Sequence, residues 1–224
     1  LDKSLHEILE AGVHAFNEAF SIFMPVESLS NLEQVSSALA VVRKINGQLE
    51  CFVLGDAEIS LKDKQGHVQV ITDDSLKHLD AKVIAMMNGN HHRQNFCVFK
   101  DFTAEELALL REHRMQMNTE GGYYILAHDP VAIQNGIYHT VPLESLESCL
   151  LTTDGISPLD RFYSRSELIE AFRARGLESM VEELRQYEKE DSAKVKLQRL
   201  KTHDDATAVL IEFEDRGDSN RHSA

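Results

Sequence analysis

The sequence predicts an α+β fold whose sheet is mainly antiparallel, and three observations carry that prediction. Apolar runs of strand length come in pairs joined by tight-turn residues; amphipathic helical stretches punctuate these pairs; and no regular βαβ alternation runs along the 224 residues. Strands joined by two- to four-residue turns pair antiparallel, and helices not interleaved strand by strand settle on the faces of the sheet.

The elements follow in order. Leu5, Ile8, Leu9, Val13, Phe16 and Phe20 recur at helical spacing and predict an amphipathic helix over 3–20. Residues 35–44 and 48–54 flank Asn46-Gly47, which tolerate the positive φ of a type I′ turn and so predict a hairpin. EISLK, the turn DKQG and HVQVIT predict a second. Leu76, Leu79, Val83 and Met86 share one face of a helix over 74–87. The polar segment 88–95, NGNHHRQN, predicts a loop, in which the adjacent His91 and His92 point apart and read as solvated side chains. Thr103 with Glu106 makes a capping box for a helix over 104–117. Strands are predicted at GYYILA (122–127) and SCLLTT (148–153). Ser164 with Glu167 is a second capping box, opening a helix that carries Leu168, Ile169 and Phe172 and stops at Gly176. A further helix over 177–190 and a closing strand over 206–213 complete one domain, residues 1–214. The polar tail 215–224 is predicted to be disordered, and its Arg216-Gly217-Asp218 is a chance match to an integrin motif.

Composition narrows the function. The hydrophobic fraction of 42% and charged fraction of 27% are ordinary for a globular domain. A formal charge of −14 disfavours nucleic acid and anionic membrane as partners, because both would be repelled. Cys51, Cys97 and Cys149 show no CxxC spacing, which argues for buried thiols in a reducing, cytoplasmic setting and against disulfides or zinc. No signal-peptide pattern or membrane-length apolar run is present. The chain opens at Leu1, already inside a helical pattern, which suggests that a segment upstream is missing.

Three aspartates share one local design: Asp56 in FVLGDAEIS, Asp154 in LLTTDGIS and Asp204 in THDDATAVLIEF. Each sits where an apolar strand meets a turn. Taken singly, each is a turn residue, and Asp154-Gly155 in particular is a favoured turn pair. Brought together they would repel, two carboxylates about 4 Å apart costing roughly 4 kcal/mol at an effective dielectric near 20. A hard divalent cation removes that penalty and prefers oxygen ligands.

The order of these motifs resembles the type 2C metal-dependent serine/threonine protein phosphatases, and most of all their bacterial branch. ALAVVRKINGQLECFVLGDAEISLKDKQGHVQVITDD is similar to the family's central hairpins and Gly-Asp-Ser motif. CLLTTDGISPLDRF resembles its LL-x-S/T-DG motif, and HDDATAVLIEF its closing D-N/D-x-T strand. The middle segment LREHRMQMNTEGGYYILAHDP and the basic approach QRLKTHDDAT resemble those of bacterial members. The resemblance implies an antiparallel β-sandwich flanked on both faces by helix pairs. It implies that Asp154 and Asp204 are catalytic ligands of Mg²⁺ or Mn²⁺, two or more ions being held in the intact enzyme, with Asp56 helping to hold a further, weaker one. Asp205 would neighbour the ligand, and Thr207 would support the closing strand. The implied reaction is hydrolysis of phosphoserine, phosphothreonine or a related phosphomonoester by a metal-activated water, on a phosphoprotein or a small phosphoester.

Two departures qualify the resemblance. Ala57 stands where the family has the Ser of Gly-Asp-Ser. The family's opening motifs, an Arg…Glu-Asp strand that grips phosphate and an Asp-Gly whose carboxylate bridges two metals, would lie upstream of the helix over 3–20. The chain is then either N-terminally incomplete or a catalytically silent binding or regulatory relative; an unrelated α+β protein whose aspartates are turns is the remaining reading.

Overall fold

The computed structural model describes residues 3–89, 97–99 and 101–213. His91, His92 and the tail beyond 214 lie outside the described residues. In chain order the elements are α1 (Leu5–Phe20), β1 (Leu39–Ile45), β2 (Gln48–Leu54), β3 (Glu58–Asp63), β4 (Val68–Thr72), α2 (Ser75–Gly89), β5 (Cys97–Phe99), β6 (Phe102–Thr103), α3 (Ala104–Met115), α4 (Val131–Gln134), β7 (Ile137–Pro142), β8 (Leu146–Thr152), α5 (Arg165–Glu190) and β9 (Ala208–Glu212).

Two antiparallel sheets form the centre. The first runs β1-β2-β7 and the second β4-β3-β8-β9. Asn46 and Gly47 adopt φ of 48° and 75° and set Ile45 opposite Gln48, the tight hairpin their sequence predicts. Side chains of a strand alternate between its two faces, and here the alternation fills three layers. Leu49, Cys51 and Val53 of β2 meet Ile59, Leu61, Ile71, Leu146 and Cys149 between the sheets. The intervening Phe52 and Leu54 turn outward onto α1 and α4, against Leu5, Val13, Ala132 and Ile133. On the opposite face Leu150 packs with Leu168, Ile169, Phe172, Met180 and Leu184 of α5. The result is an antiparallel β-sandwich with helices on both faces. Burial pushes the Cys51 thiol up to about 11 and the Cys149 thiol up to about 12, so both remain protonated inside the sandwich.

The caps expected at Thr103 and Ser164 are present, and the first helix carries a third of the same kind. Ser4, Thr103 and Ser164 each cap a helix and are answered by Glu7, Glu106 and Glu167. Gly176, at φ 78° and ψ 165°, breaks α5 into two arms that pack on the same sheet. An ion network fastens that helix down: Lys62 of β3 pairs with Glu147 and Glu170, and Arg173 pairs with Glu147, Glu170 and Glu212. Among the described residues no helix is long and apolar enough to cross a membrane.

The strand expected over 122–127 is not there. Its residues are apolar and aromatic enough for a strand, but the backbone is drawn into a loop: Asn118 N–H donates to the Tyr123 carbonyl at 2.7 Å, and Ile125 N–H to the Asn118 side chain at 2.9 Å. A single bridge, Ser37 to Leu126, joins the segment to the region before β1. The strand that completes the first sheet is instead β7, whose burial is too mixed to mark it in the sequence.

Gly136 leaves room for the Phe52 ring; a Cβ there would stand 2.3 Å from Phe52 Cζ. Phe52 is fully buried and joins the sheet to α1 and α4. Phe52→Ala is expected to lower the free energy of unfolding by about 3–5 kcal/mol, measured as a shift of the urea midpoint at unchanged slope.

Candidate functional site

The site is built where β8 and β9 run out. Their ladder ends with Thr152 opposite Ala208, and Thr153 then continues it in another form. Its N–H donates to the Thr207 carbonyl at 3.1 Å, its hydroxyl accepts from Thr207 N–H at 3.0 Å, and the same hydroxyl donates to the Asp205 carbonyl at 3.3 Å. Gly155 lies against the same carbonyl, where a Cβ would stand 2.1 Å from the oxygen. After it the chain tightens into a 3₁₀ run, Asp154–Arg161, whose Ile156 and Leu159 are buried on α5. Two segments 52 positions apart at Thr153 and Asp205 are thus stitched together, with Asp154 and Asp204 at the same end of the sheet.

Asp56, which follows β2 and Gly55, opens onto the same place. Asp56, Asp154 and Asp204 line one cleft of about 1090 Å³ with Asp80 from α2, Glu58 and Asp160, and with cations that include Lys77, Arg161, Arg165 and Lys201. Burial raises the Asp56 carboxyl above its usual range, with the Asp204 charge adding to the shift. Burial likewise pushes Asp154 up to about 6, reinforced by Asp56 and Asp204 and opposed by Lys201. Asp80 rises to about 6 for the same reasons, desolvation first, then the charge of Asp56. The cleft is a place where negative charge is crowded and partly dry.

The surrounding groups brace this arrangement. Arg165 reaches both Glu58, at 2.6 Å, and Asp160, at 2.5 Å, closing one wall. The buried Glu188 accepts from Arg185 at 2.7 Å and contacts His203 at 2.8 Å, while the other arm of Arg185 donates to the Asp204 carbonyl at 2.6 Å. Asp204 Oδ1 takes the Asp205 N–H at 2.9 Å and the Lys201 ammonium at 2.6 Å. Burial works against the charged Lys201, but its bond to Asp204, helped by Asp154 and Asp205, raises it above the usual lysine value. Asp73 accepts from Ser75 N–H at the start of α2, and Asp74 pairs with Lys77, so this acidic pair serves the helix entry.

Hard carboxylate oxygens whose ionised forms repel one another match a divalent cation in donor type and charge. Among the described residues, however, no three histidine, cysteine, aspartate or glutamate side chains are gathered closely enough to hold one as they stand.

Asp80 was not singled out by sequence pattern because it sits beside Leu79 in an amphipathic helix, where an aspartate reads as the solvated face. Arg161 and Lys201 belong to motifs that the sequence does mark, DGISPLDR and RLKTHDD, but their position in the cleft follows from the 3₁₀ run and the loop before β9.

No protein-family model and no curated protein matches the chain. Solved structures do. The serine/threonine phosphatase PstP/Ppp of Mycobacterium tuberculosis superposes with a TM-score of 0.50 at 16% identity, covering 94% of this chain and 72% of that one. The serine-threonine phosphatase 2C from Toxoplasma gondii gives 0.49 at 14% identity, covering 96% and 72%. The fold of this chain is that of the type 2C phosphatases.

Two outcomes are expected. Gly155→Ala should force the β8 and β9 ends apart and cost about 1–3 kcal/mol, seen as a lower melting temperature. Asp80→Asn should stabilise the protein in chelator by about 1–2 kcal/mol at pH 7.5, because the wild-type carboxylate is charged in the folded state at a penalty. A carboxyl raised in the folded state is penalised above its folded value and unpenalised below its unfolded one. The advantage of the variant should therefore shrink as pH falls through 6 and vanish near the ordinary aspartate value of 3.8. Thermal melts of the two proteins across that range measure the difference.

Proposed function

We propose that the chain is a metal-dependent phosphatase that hydrolyses phosphoserine, phosphothreonine or a related phosphomonoester. One observation carries this reading: on a type 2C phosphatase fold, Asp154 and Asp204 come from adjacent strand ends into one carboxylate-rich cleft. Asp154 and Asp204 would hold a Mg²⁺ or Mn²⁺ ion, with Asp56 beside them. The chemistry that divalent ions supply in such a site is neutralisation of phosphoryl charge and acidification of water.

The residues of the chain itself bind and orient. Arg161 lines the cleft at the end of the 3₁₀ run and makes no hydrogen bond or ion pair among the described residues, which leaves its guanidinium available to a phosphate. Arg165, by contrast, is occupied by Glu58 and Asp160 and holds the wall. Glu188, through Arg185, fixes the backbone at Asp204. The buried, protonated cysteines supply no nucleophile, and they suit a reducing, cytoplasmic setting.

A second reading, a catalytically silent phosphatase-like binding or regulatory module, is favoured by the lysine already bonded to Asp204. Activity separates the two. The full-length protein should hydrolyse an aryl phosphate with added Mn²⁺ or Mg²⁺ and lose that activity in excess EDTA; activity that persists in EDTA would exclude metal dependence. Asp204→Asn should lower kcat/KM by roughly 10²-fold or more, whereas Asp205→Asn should be much milder. Arg161→Ala should raise KM more than it lowers kcat, since it removes a contact to the ground-state phosphate. Equal losses at 204 and 205 would shift the ligand assignment by one residue.

A further inference from the structure

Lys201 is a side chain delivered to its place by construction. Asp191, itself buried, accepts three backbone N–H groups, from Val195 at 3.0 Å, Lys196 at 3.1 Å and Leu197 at 2.7 Å. Arg199 is 9% exposed at its side chain and donates to the carbonyls of Glu188, Asp191, Leu197 and Thr202 and to the Asp191 carboxylate. Thr202 is tied to Asp101 by both its N–H and its hydroxyl, at 3.2 and 2.6 Å. The backbone on either side of Lys201 is therefore fixed, and so is Asp204, through Arg185.

Between these anchors the lysine stem is free. Its side chain is 54% exposed, yet its ammonium lies 2.6 Å from Asp204 Oδ1 and interacts electrostatically with Asp154 and Asp80. Of the other two lysines that line the cleft, Lys77 pairs with Asp74, and Lys196 pairs with none of the cleft carboxylates among the described residues. One cation on a hinged stem thus serves three of the carboxylates that crowd the cleft. A monovalent charge offsets part of their repulsion, and a divalent one offsets more in the same position. A half-exposed ion pair is weak enough to exchange.

We propose that Lys201 is a tethered counter-cation that occupies the cleft when no divalent ion is bound and must swing off Asp204 for one to enter. This rests on the metal-dependent reading of the site. The lysine then holds the acidic cleft together in the free protein and sets a threshold of divalent ion concentration below which the site stays closed.

The test is calorimetric titration of Mn²⁺ into the chelator-stripped full-length protein, with thermal melts in EDTA and in saturating Mn²⁺. Lys201→Met, which keeps the length and removes the charge, should bind Mn²⁺ roughly fivefold more tightly, as loss of about 1 kcal/mol of competing ion pair requires. The same variant should melt lower than wild type in EDTA and recover in Mn²⁺. Lys201→Arg, which keeps the charge, should retain wild-type affinity, and Lys201→Gln replaces the Met variant should that one fold poorly. Equal or weaker Mn²⁺ binding by the charge-free variant would overturn the role of the lysine while leaving the metal site in place. No Mn²⁺ binding by wild type or variant would overturn the metal reading and this proposal with it.

Discussion

The antiparallel pairing of β8 with β9 is the constraint on which the cleft depends, because it carries Asp204 to Asp154 across the intervening α5. The pairing is secured on both of its faces by apolar layers: Cys149 and Ile211 look into the sandwich, Leu150 and Leu210 onto the helix. At its end the regular ladder gives way to bonds made by one threonine hydroxyl, and a glycine lets the two backbones close to contact. Carboxylates mounted on such ends cannot relax away from each other by moving the chain. They can respond only by taking up protons, recruiting a cation or rotating side chains; the raised Asp154 and Asp80 carboxyls and the Lys201 contact to Asp204 correspond to the first two.

That rigidity separates two kinds of residue in the cleft. Groups on strand ends or beside them, Asp56, Asp154 and Asp204, are positioned by the sheets. Groups on the helix and the approach loop, Asp80 and Lys201, are positioned by packing that the strands do not control. The second set is held by its own network, in which Asp191 and Arg199 order the loop and Leu79 and Val83 seat α2.

Most of the fold was legible because its signals are local. Asn46-Gly47 and the capping boxes at Thr103 and Ser164 each name their own structure from a few residues, and all three formed. The segment 122–127 misled because a short run of aromatic and aliphatic residues does not reveal that Asn118 already claims its backbone. β7 went unnoticed for the converse reason, its burial being set by a neighbouring strand and α1 more than by its own pattern. In the site, the aspartates at strand ends could be picked out by position relative to apolar runs. Asp80 could not, since what distinguishes it is the company of Asp56 and Asp204, which only the folded chain supplies.

The two cysteines of the sandwich have a consequence for how this protein ages and breathes. Cys51 and Cys149 face one another between the sheets, fully enclosed, and their thiols are held protonated by the absence of water. An electrophile or oxidant meets them only if the two layers part, so their modification records separation of the sheets and is indifferent to motion of the helices or of the cleft. Once modified, the added bulk would sit where no space exists for it and would keep the layers from closing again. The interior therefore carries two thiols that stay silent through local fluctuation and answer only to an opening of the core.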